Sequence, residues 1–129
     1  THKNLSSYNV IPTEFHSLYA DVGAGGGSLT VPASKNTFAT ITLPVGAKLF
    51  KLPVTVYASS GSFVLRLCQL SGVGAPATIA SGVNNVPAPM GGAAKTFDAS
   101  TQFLSLEYVA PGVTTSLYSA NISFGITPS

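Results

Sequence analysis

Thr115 to Thr127 reads TSLYSANISFGIT, and its alternation decides the fold class. Tyr118, Ala120, Ile122, Phe124 and Ile126 fall on one side of an extended chain, with Ser119, Asn121, Ser123 and Gly125 on the other. Successive side chains of a strand point to opposite faces, so this pattern predicts a long β-strand with one dry face and one wet face. Helical periodicity is nearly absent, because the 13 glycines and 9 prolines interrupt the chain before an apolar pattern at every third or fourth residue can develop.

The same period recurs upstream. In TFATITL, residues 37 to 43, Ala39, Ile41 and Leu43 share a face opposite Phe38, Thr40 and Thr42. Phe50, Leu52, Val54 and Val56 point one way, while Lys51, Thr55 and Tyr57 point the other. In SFVLRLCQL, residues 62 to 70, Phe63, Leu65 and Leu67 lie opposite Val64, Arg66, Cys68 and Leu70. Leu104, Leu106 and Tyr108 lie opposite Ser105 and Glu107. Weaker or shorter strands are predicted at Tyr8 to Ile11, Leu29 to Val31, Thr78 to Val83 and Lys95 to Asp98.

Turn signals separate these segments: VGAGGGS, LPVGA, ASSGS, SGVGAP, PMGG and APGV. Short strands at such spacing predict an all-β, antiparallel β-sandwich of jelly-roll type with about eight strands. Residues 1–129 form one domain by length, with 1–28 as an extended N-terminal arm. Val22 to Ser28 and Ser71 to Ala94 are low in complexity and are expected as surface loops.

LPVGAKLFKLPVTVYA, Leu43 to Ala58, carries two Leu-Pro pairs. Pro44 is expected to open a turn in which Gly46 is free to take a positive φ. Alternation runs straight through Pro53, so that residue is expected on an edge strand or at a bulge, with its missing N–H facing no partner. That edge would lie where a neighbouring subunit could reach it.

Composition limits the partners. The chain is 45% hydrophobic and 8% charged, against a usual charged share of about 25%. So little charge repulsion favours self-association. A net charge of +2 and six scattered basic residues (Lys3, Lys35, Lys48, Lys51, Arg66, Lys95) give no nucleic-acid surface. No apolar run reaches the roughly 18 residues of a membrane-spanning helix. Cys68 stands alone among apolar neighbours and is expected as a buried, inert thiol. The start at Thr1, without Met or a signal-like region, reads as a fragment or processed product.

Catalytic signatures are scarce. Gly23, Gly25, Gly26 and Gly27 lack the Lys-Ser/Thr ending of a phosphate loop and read as a hairpin loop. His2 and His16 are not at ligand spacing, and Glu14, Asp21, Asp98 and Glu107 are dispersed, so no metal or cofactor is expected. EFHSLYAD, residues 14 to 21, gathers Glu14, His16 and Asp21, which an exposed strand or arm supplies by default; no nucleophile elbow accompanies them. Asn4-Leu-Ser and Asn121-Ile-Ser match glycosylation sequons, a pattern with meaning only in a secretory pathway. No catalytic residue is assigned. Of the tyrosines at 8, 19, 57, 108 and 118, Tyr108 and Tyr118 fall on core faces, whereas Tyr57 faces outward. The candidate ligand surface is therefore Tyr57 with Lys51, Thr55 and Arg66.

The order of several motifs resembles a β-sandwich module found near the C-termini of phage tailspikes, tail fibres and related bacterial surface proteins. The matching residues are Leu43-Pro44-Val45-Gly46-Ala47, Val54-Thr55-Val56-Tyr57 and Leu117 to Phe124 (LYSANISF), an order spanning about residues 37 to 125. The resemblance implies a homotrimer that closes the end of a fibre or spike on a virion or in the extracellular space, and in some members touches a host glycan. It carries over no binding residue, and nothing here resembles a tailspike's catalytic β-helix. A stand-alone carbohydrate-binding module or lectin, or a virion coat or decoration subunit, fits the same composition.

Overall fold

In a computed structural model of the chain, the alternating C-terminal run is the longest strand and the spine of the larger of two sheets. The structure describes residues 4–10, 15, 23–25, 27–43, 47–49, 53–70, 76–89, 95–96 and 100–126. In chain order the strands are β1 (Asn4–Val10), β2 (Gly23–Gly25), β3 (Ser28–Val31), β4 (Asn36–Ile41), β5 (Ala47–Leu49), β6 (Pro53–Ala58), β7 (Ser62–Gln69), β8 (Ala77–Val83), β9 (Ala88–Pro89), β10 (Lys95–Thr96), β11 (Gln102–Val109) and β12 (Thr115–Ile126). Eight of these are four residues or longer, the number that the alternating segments predict. No helix occurs among the described residues.

Strands β4, β11, β7 and β8 form the smaller sheet in that order, and the other eight form the larger. Every pairing is antiparallel. The chain passes from one sheet to the other six times, as a sandwich requires when sequence neighbours are shared between two layers. The fold class is therefore the expected all-β sandwich.

β12 organises the larger sheet because it is long enough to hold two neighbours along each edge. One edge takes β3 at Thr115 to Leu117 and then β1 at Ala120 to Ile126. The other takes β6 from Leu117 to Ile122 and then β5 at Gly125 and Ile126. β1 is thus an integral strand, paired with β12 over all seven of its residues, and over 4–10 the expected N-terminal arm is part of the sheet.

The inward faces meet in one core. Ala39, Ile41, Leu104, Leu106, Tyr108, Phe63 and Leu65 come from the smaller sheet. Val10, Leu29, Val31, Val54, Val56, Leu117, Ala120, Ile122 and Phe124 come from the larger. Burial of these apolar side chains at roughly 25 cal/mol per Å² is the dominant stabilising term. Cys68 is buried as expected, although it lies across the strand from Leu65 and Leu67. Burial pushes its thiol pKa up, against the opposing charge of Arg66.

Two bulges correct the simple alternation. Between β12 and β6, Leu117 pairs with Ala58 and Ser119 with Tyr57, so Tyr118 is an extra residue. The bulge falls where the opposite edge of β12 exchanges β3 for β1. It shifts the phase: Thr115 and Leu117 are inward, then Ala120, Ile122 and Phe124. Tyr118, expected in the core, instead faces out. Between β7 and β8, Leu65 pairs with Ala80 and Arg66 with Thr78, so Ile79 is extra and both Ile79 and Ala80 are buried.

Three short strands lie where turn or loop chemistry is written. β2 pairs with β3 as a hairpin closed through Gly27, whose φ of 97° suits glycine. β5 lies just beyond the Leu-Pro turn signal, and β9 lies within the expected loop. Pro53 is the first residue of β6, and its register partner is Pro89. Two residues without an N–H therefore face each other at a strand end, a position where proline removes no ladder bond. Pro44, Gly46, Phe50, Lys51 and Leu52 lie outside the described residues.

Candidate functional site

The expected ligand set does not assemble on one surface. Tyr57 and Thr55 project from the outward face of β6 in the larger sheet, and Tyr57 is 44% exposed. Thr55 is only 7% exposed; it faces outward yet is covered, so it offers little to a ligand. Lys51 lies outside the described residues. Arg66 belongs to β7 in the smaller sheet, on the opposite side of the sandwich from Tyr57.

Arg66 is also engaged. Its Nη1 donates to Glu107 Oε1 at 2.8 Å, and Asn36 Nδ2 donates to Glu107 Oε2 at 2.8 Å. Burial works to raise the Glu107 pKa, but these hydrogen bonds and the Arg66 charge outweigh it and hold the carboxyl below its ordinary value. The trio crosses β4, β11 and β7 and reads as a tie on the outside of the smaller sheet.

What the structure brings together is Tyr57 with Tyr118. Ser119 is the register partner of Tyr57, and Tyr118 is the bulged residue beside it. Leu117 and Ala120 are buried on one side of the bulge and Val54 and Val56 flank Thr55 inward, which leaves Tyr118, Ser119 and Tyr57 on the outward side. Tyr118 is 49% exposed and lies between inward Leu117 and Ala120, so it shares the outer face with Tyr57. Strict alternation hides this pair. The signal that reveals it is the three-residue spacing from Leu117 to Ala120, which two inward residues cannot share without a phase shift.

The surrounding outward positions are hydroxyls and amides. Thr30 and Ser116 are register partners, as are Asn9 and Asn121. Asn121 Nδ2 donates to Asn9 Oδ1 at 2.7 Å, and Ser116 N donates to Ser59 Oγ at 2.9 Å. None of the outward residues described on β3, β6 and β12 is charged.

Four connections form the end of the sandwich next to this face: 32–35, 59–61, 84–87 and 110–114. Their common location follows from the register, which aligns Asn36 with Val109, Val109 with Ser62, and Ser62 with Val83. Hydrogen bonds tie the connections together: Ser34 N to the Pro111 carbonyl at 2.8 Å, Ala110 N to Lys35 at 2.9 Å, and Asn84 N to Gly61 at 3.1 Å. Ser34 and Asn85 hold positive φ of 64° and 62°. Val83, Val86 and Val113 at this end are each more than half exposed.

The edge of β6 that faces away from β12 is closed. β9 pairs with Pro53 and Val54, Asn85 N donates to the Val56 carbonyl at 2.7 Å, and the Asn85 side chain engages the backbone of Ala58. The expectation that a neighbouring subunit could reach this margin is corrected: the chain's own residues occupy it from 53 to 58.

Tyr108 ties the two sheets together at the same end. Its hydroxyl contacts the Ser60 carbonyl and lies 2.6 Å from Thr115 Oγ1. The tyrosine has one proton and a carbonyl can only accept, so Tyr108 donates to Ser60 and Thr115 donates to Tyr108. Burial pushes the Tyr108 pKa up, and the Thr115 hydrogen bond partly counters it. Gly61 makes room: a Cβ there would lie 2.7 Å from the Tyr108 ring and from the Val109 carbonyl.

Among the described residues no group of three or more His, Cys, Asp and Glu side chains is gathered. No protein-family model matches the chain, and no curated protein is similar to it.

Proposed function

We propose that this domain is a non-catalytic assembly and attachment module of the kind that ends a phage tailspike or tail fibre, acting as a homotrimer on the virion. The observation that carries the reading is the pairing of exposed apolar residues with a chain that is only 8% charged. Val83, Val86 and Val113 are exposed at one end of the sandwich. Among all side chains the structure describes, the charged ones are Lys35, Arg66 and Glu107, and two of these neutralise each other. Such a surface gains from burial against copies of itself and meets little electrostatic resistance.

Because the edge of β6 is closed, association in this reading works through side chains at the loop end and not through strands added to β6. A cyclic, heterologous interface lets each subunit's end pack on its neighbour and then closes. The sandwich class and the motif order at 43–47, 54–57 and 117–124 support the tail-protein assignment.

Substitution of the loop end tests the reading. Val86→Glu combined with Val113→Glu is expected to convert the trimer to a folded monomer by sedimentation velocity, with the thermal midpoint measured alongside. A double variant that sediments with the wild type would remove the loop end from the interface.

A further inference from the structure

The geometry points to Tyr57 and Tyr118 as a stacking platform for a neutral glycan, a proposal that rests on the attachment reading for its biological setting but on separate residues for its chemistry. A pyranose presents two kinds of surface: a patch of C–H bonds that packs on an aromatic face, and a rim of hydroxyls that donate and accept hydrogen bonds. The outer face of the larger sheet offers the complement of each. Two half-exposed tyrosines share one face, one supplied by β6 and the other by the bulge of β12. Bulges re-aim side chains next to functional sites, and this one turns a large ring out of the core into water. Aromatic side chains with two rotatable bonds give contact area at low entropic cost.

The rim is supplied by Ser116, Ser119, Asn121 and Asn9, whose amides and hydroxyls both donate and accept. The amides of Asn9 and Asn121 are held together at 2.7 Å, so they are oriented before a ligand arrives. Charge selects the class of ligand. Sialylated, sulfated or phosphorylated sugars call for Arg or Lys, yet none of the described outward positions on β3, β6 and β12 carries a charge, and Arg66 is spent on Glu107 on the other sheet. The described outward residues of β3, β6 and β12 therefore suit a neutral glycan lying across β6 and β12.

The chain has no Trp and five Tyr, so the platform's share of the tyrosine fluorescence is the part of the ligand response that Tyr57→Ala and Tyr118→Ala remove. The full chain is screened on an array of neutral oligosaccharides (glucans, galactans and mannans) beside sialylated and sulfated ones, and hits are titrated by fluorescence and calorimetry. Binding to at least one neutral oligosaccharide is expected. Tyr57→Ala and Tyr118→Ala should each weaken it by about tenfold, as truncation of a binding hot spot does. Tyr118→Phe should bind like the wild type, because stacking needs the ring and not the hydroxyl. Failure to bind any neutral sugar at about 1 mM, where such contacts still register, would overturn the proposal. So would preference for anionic glycans, or unchanged binding by folded Ala variants. Sedimentation of the same samples separates the two ideas: a monomer that binds sugar removes the trimer and leaves the platform, and a trimer that binds none does the reverse.

Discussion

Asn85 stands in for a neighbouring strand opposite Ala58. Its Oδ1 accepts from Ala58 N at 3.3 Å while its Nδ2 donates to the Ala58 carbonyl at 3.0 Å, with Asn84 Nδ2 adding a second bond to that carbonyl at 3.1 Å. A side-chain amide has the donor and acceptor of a peptide group, so it can satisfy a strand edge where no strand is present. The positive φ of Asn85 is one that asparagine tolerates better than most residues. An exposed edge is a template for uncontrolled pairing, and in a chain with so few charges this local seal matters.

Removing the seal should therefore change both stability and association. Asn85→Ala leaves buried Ala58 short of two hydrogen bonds and forces a strained φ, for an expected loss of about 1–3 kcal/mol in urea denaturation. Asn85→Gly keeps the backbone conformation and isolates the amide's contribution. Light scattering should show species larger than the wild-type protein that grow with concentration in both variants. An Asn85→Ala protein as stable and as monodisperse as the wild type would contradict the account.

Tyr108→Phe removes one hydroxyl from the junction of both sheets. The Ser60 carbonyl and Thr115 Oγ1 then lose a partner, and the expected cost is about 1–3 kcal/mol. The pH dependence adds a second check. The folded-state pKa of Tyr108 is raised, so its contribution is fully present below the unfolded tyrosine value and is lost as pH rises through the folded one. Wild type should lose stability on that alkaline limb, and Tyr108→Phe should lose less.

Gly61→Ala combines two penalties at one atom. A φ of 118° is strained for any L side chain, and the added methyl would lie 2.7 Å from the Tyr108 ring and the Val109 carbonyl. Backbone strain and overpacking each cost about 1–3 kcal/mol. Thermal unfolding should therefore fall further for this variant than for Tyr108→Phe; an unchanged midpoint would show that the β6–β7 crossing is loosely packed.

The Glu107 tie gives acid sensitivity. Its folded-state pKa is lowered, so its stabilisation is present above the unfolded carboxylate value and disappears as pH falls through the folded one. Glu107→Gln should be less stable than wild type near pH 7, and the gap should narrow below about pH 4, where carboxylates protonate. A gap that is constant with pH would deny the carboxylate this role.

Alternation made most of the sandwich legible. It placed Ala39, Ile41 and Leu43, Val54 and Val56, Phe63 and Leu65, and Leu104, Leu106 and Tyr108 inward, and all are buried. It misplaced Tyr118 because a strand that changes partners takes in an extra residue, and a strict period of two has no place for it. β2, β5 and β9 were hidden for a different reason: two- or three-residue strands made of Gly, Ala, Lys, Leu and Pro are held by backbone pairing, which leaves no side-chain pattern. The candidate site was half legible. Alternation showed that Tyr57 and Arg66 both face outward, but it does not say which sheet a strand joins, and these two lie on opposite layers.

The proposed function requires that this sandwich assemble with copies of itself. Sedimentation equilibrium of the wild-type chain at micromolar concentration tests it most directly. A homotrimer gives a mass about three times the 13.1 kDa of one chain. A stable species with the mass of a single chain, unchanged over a hundredfold range of concentration, would contradict it.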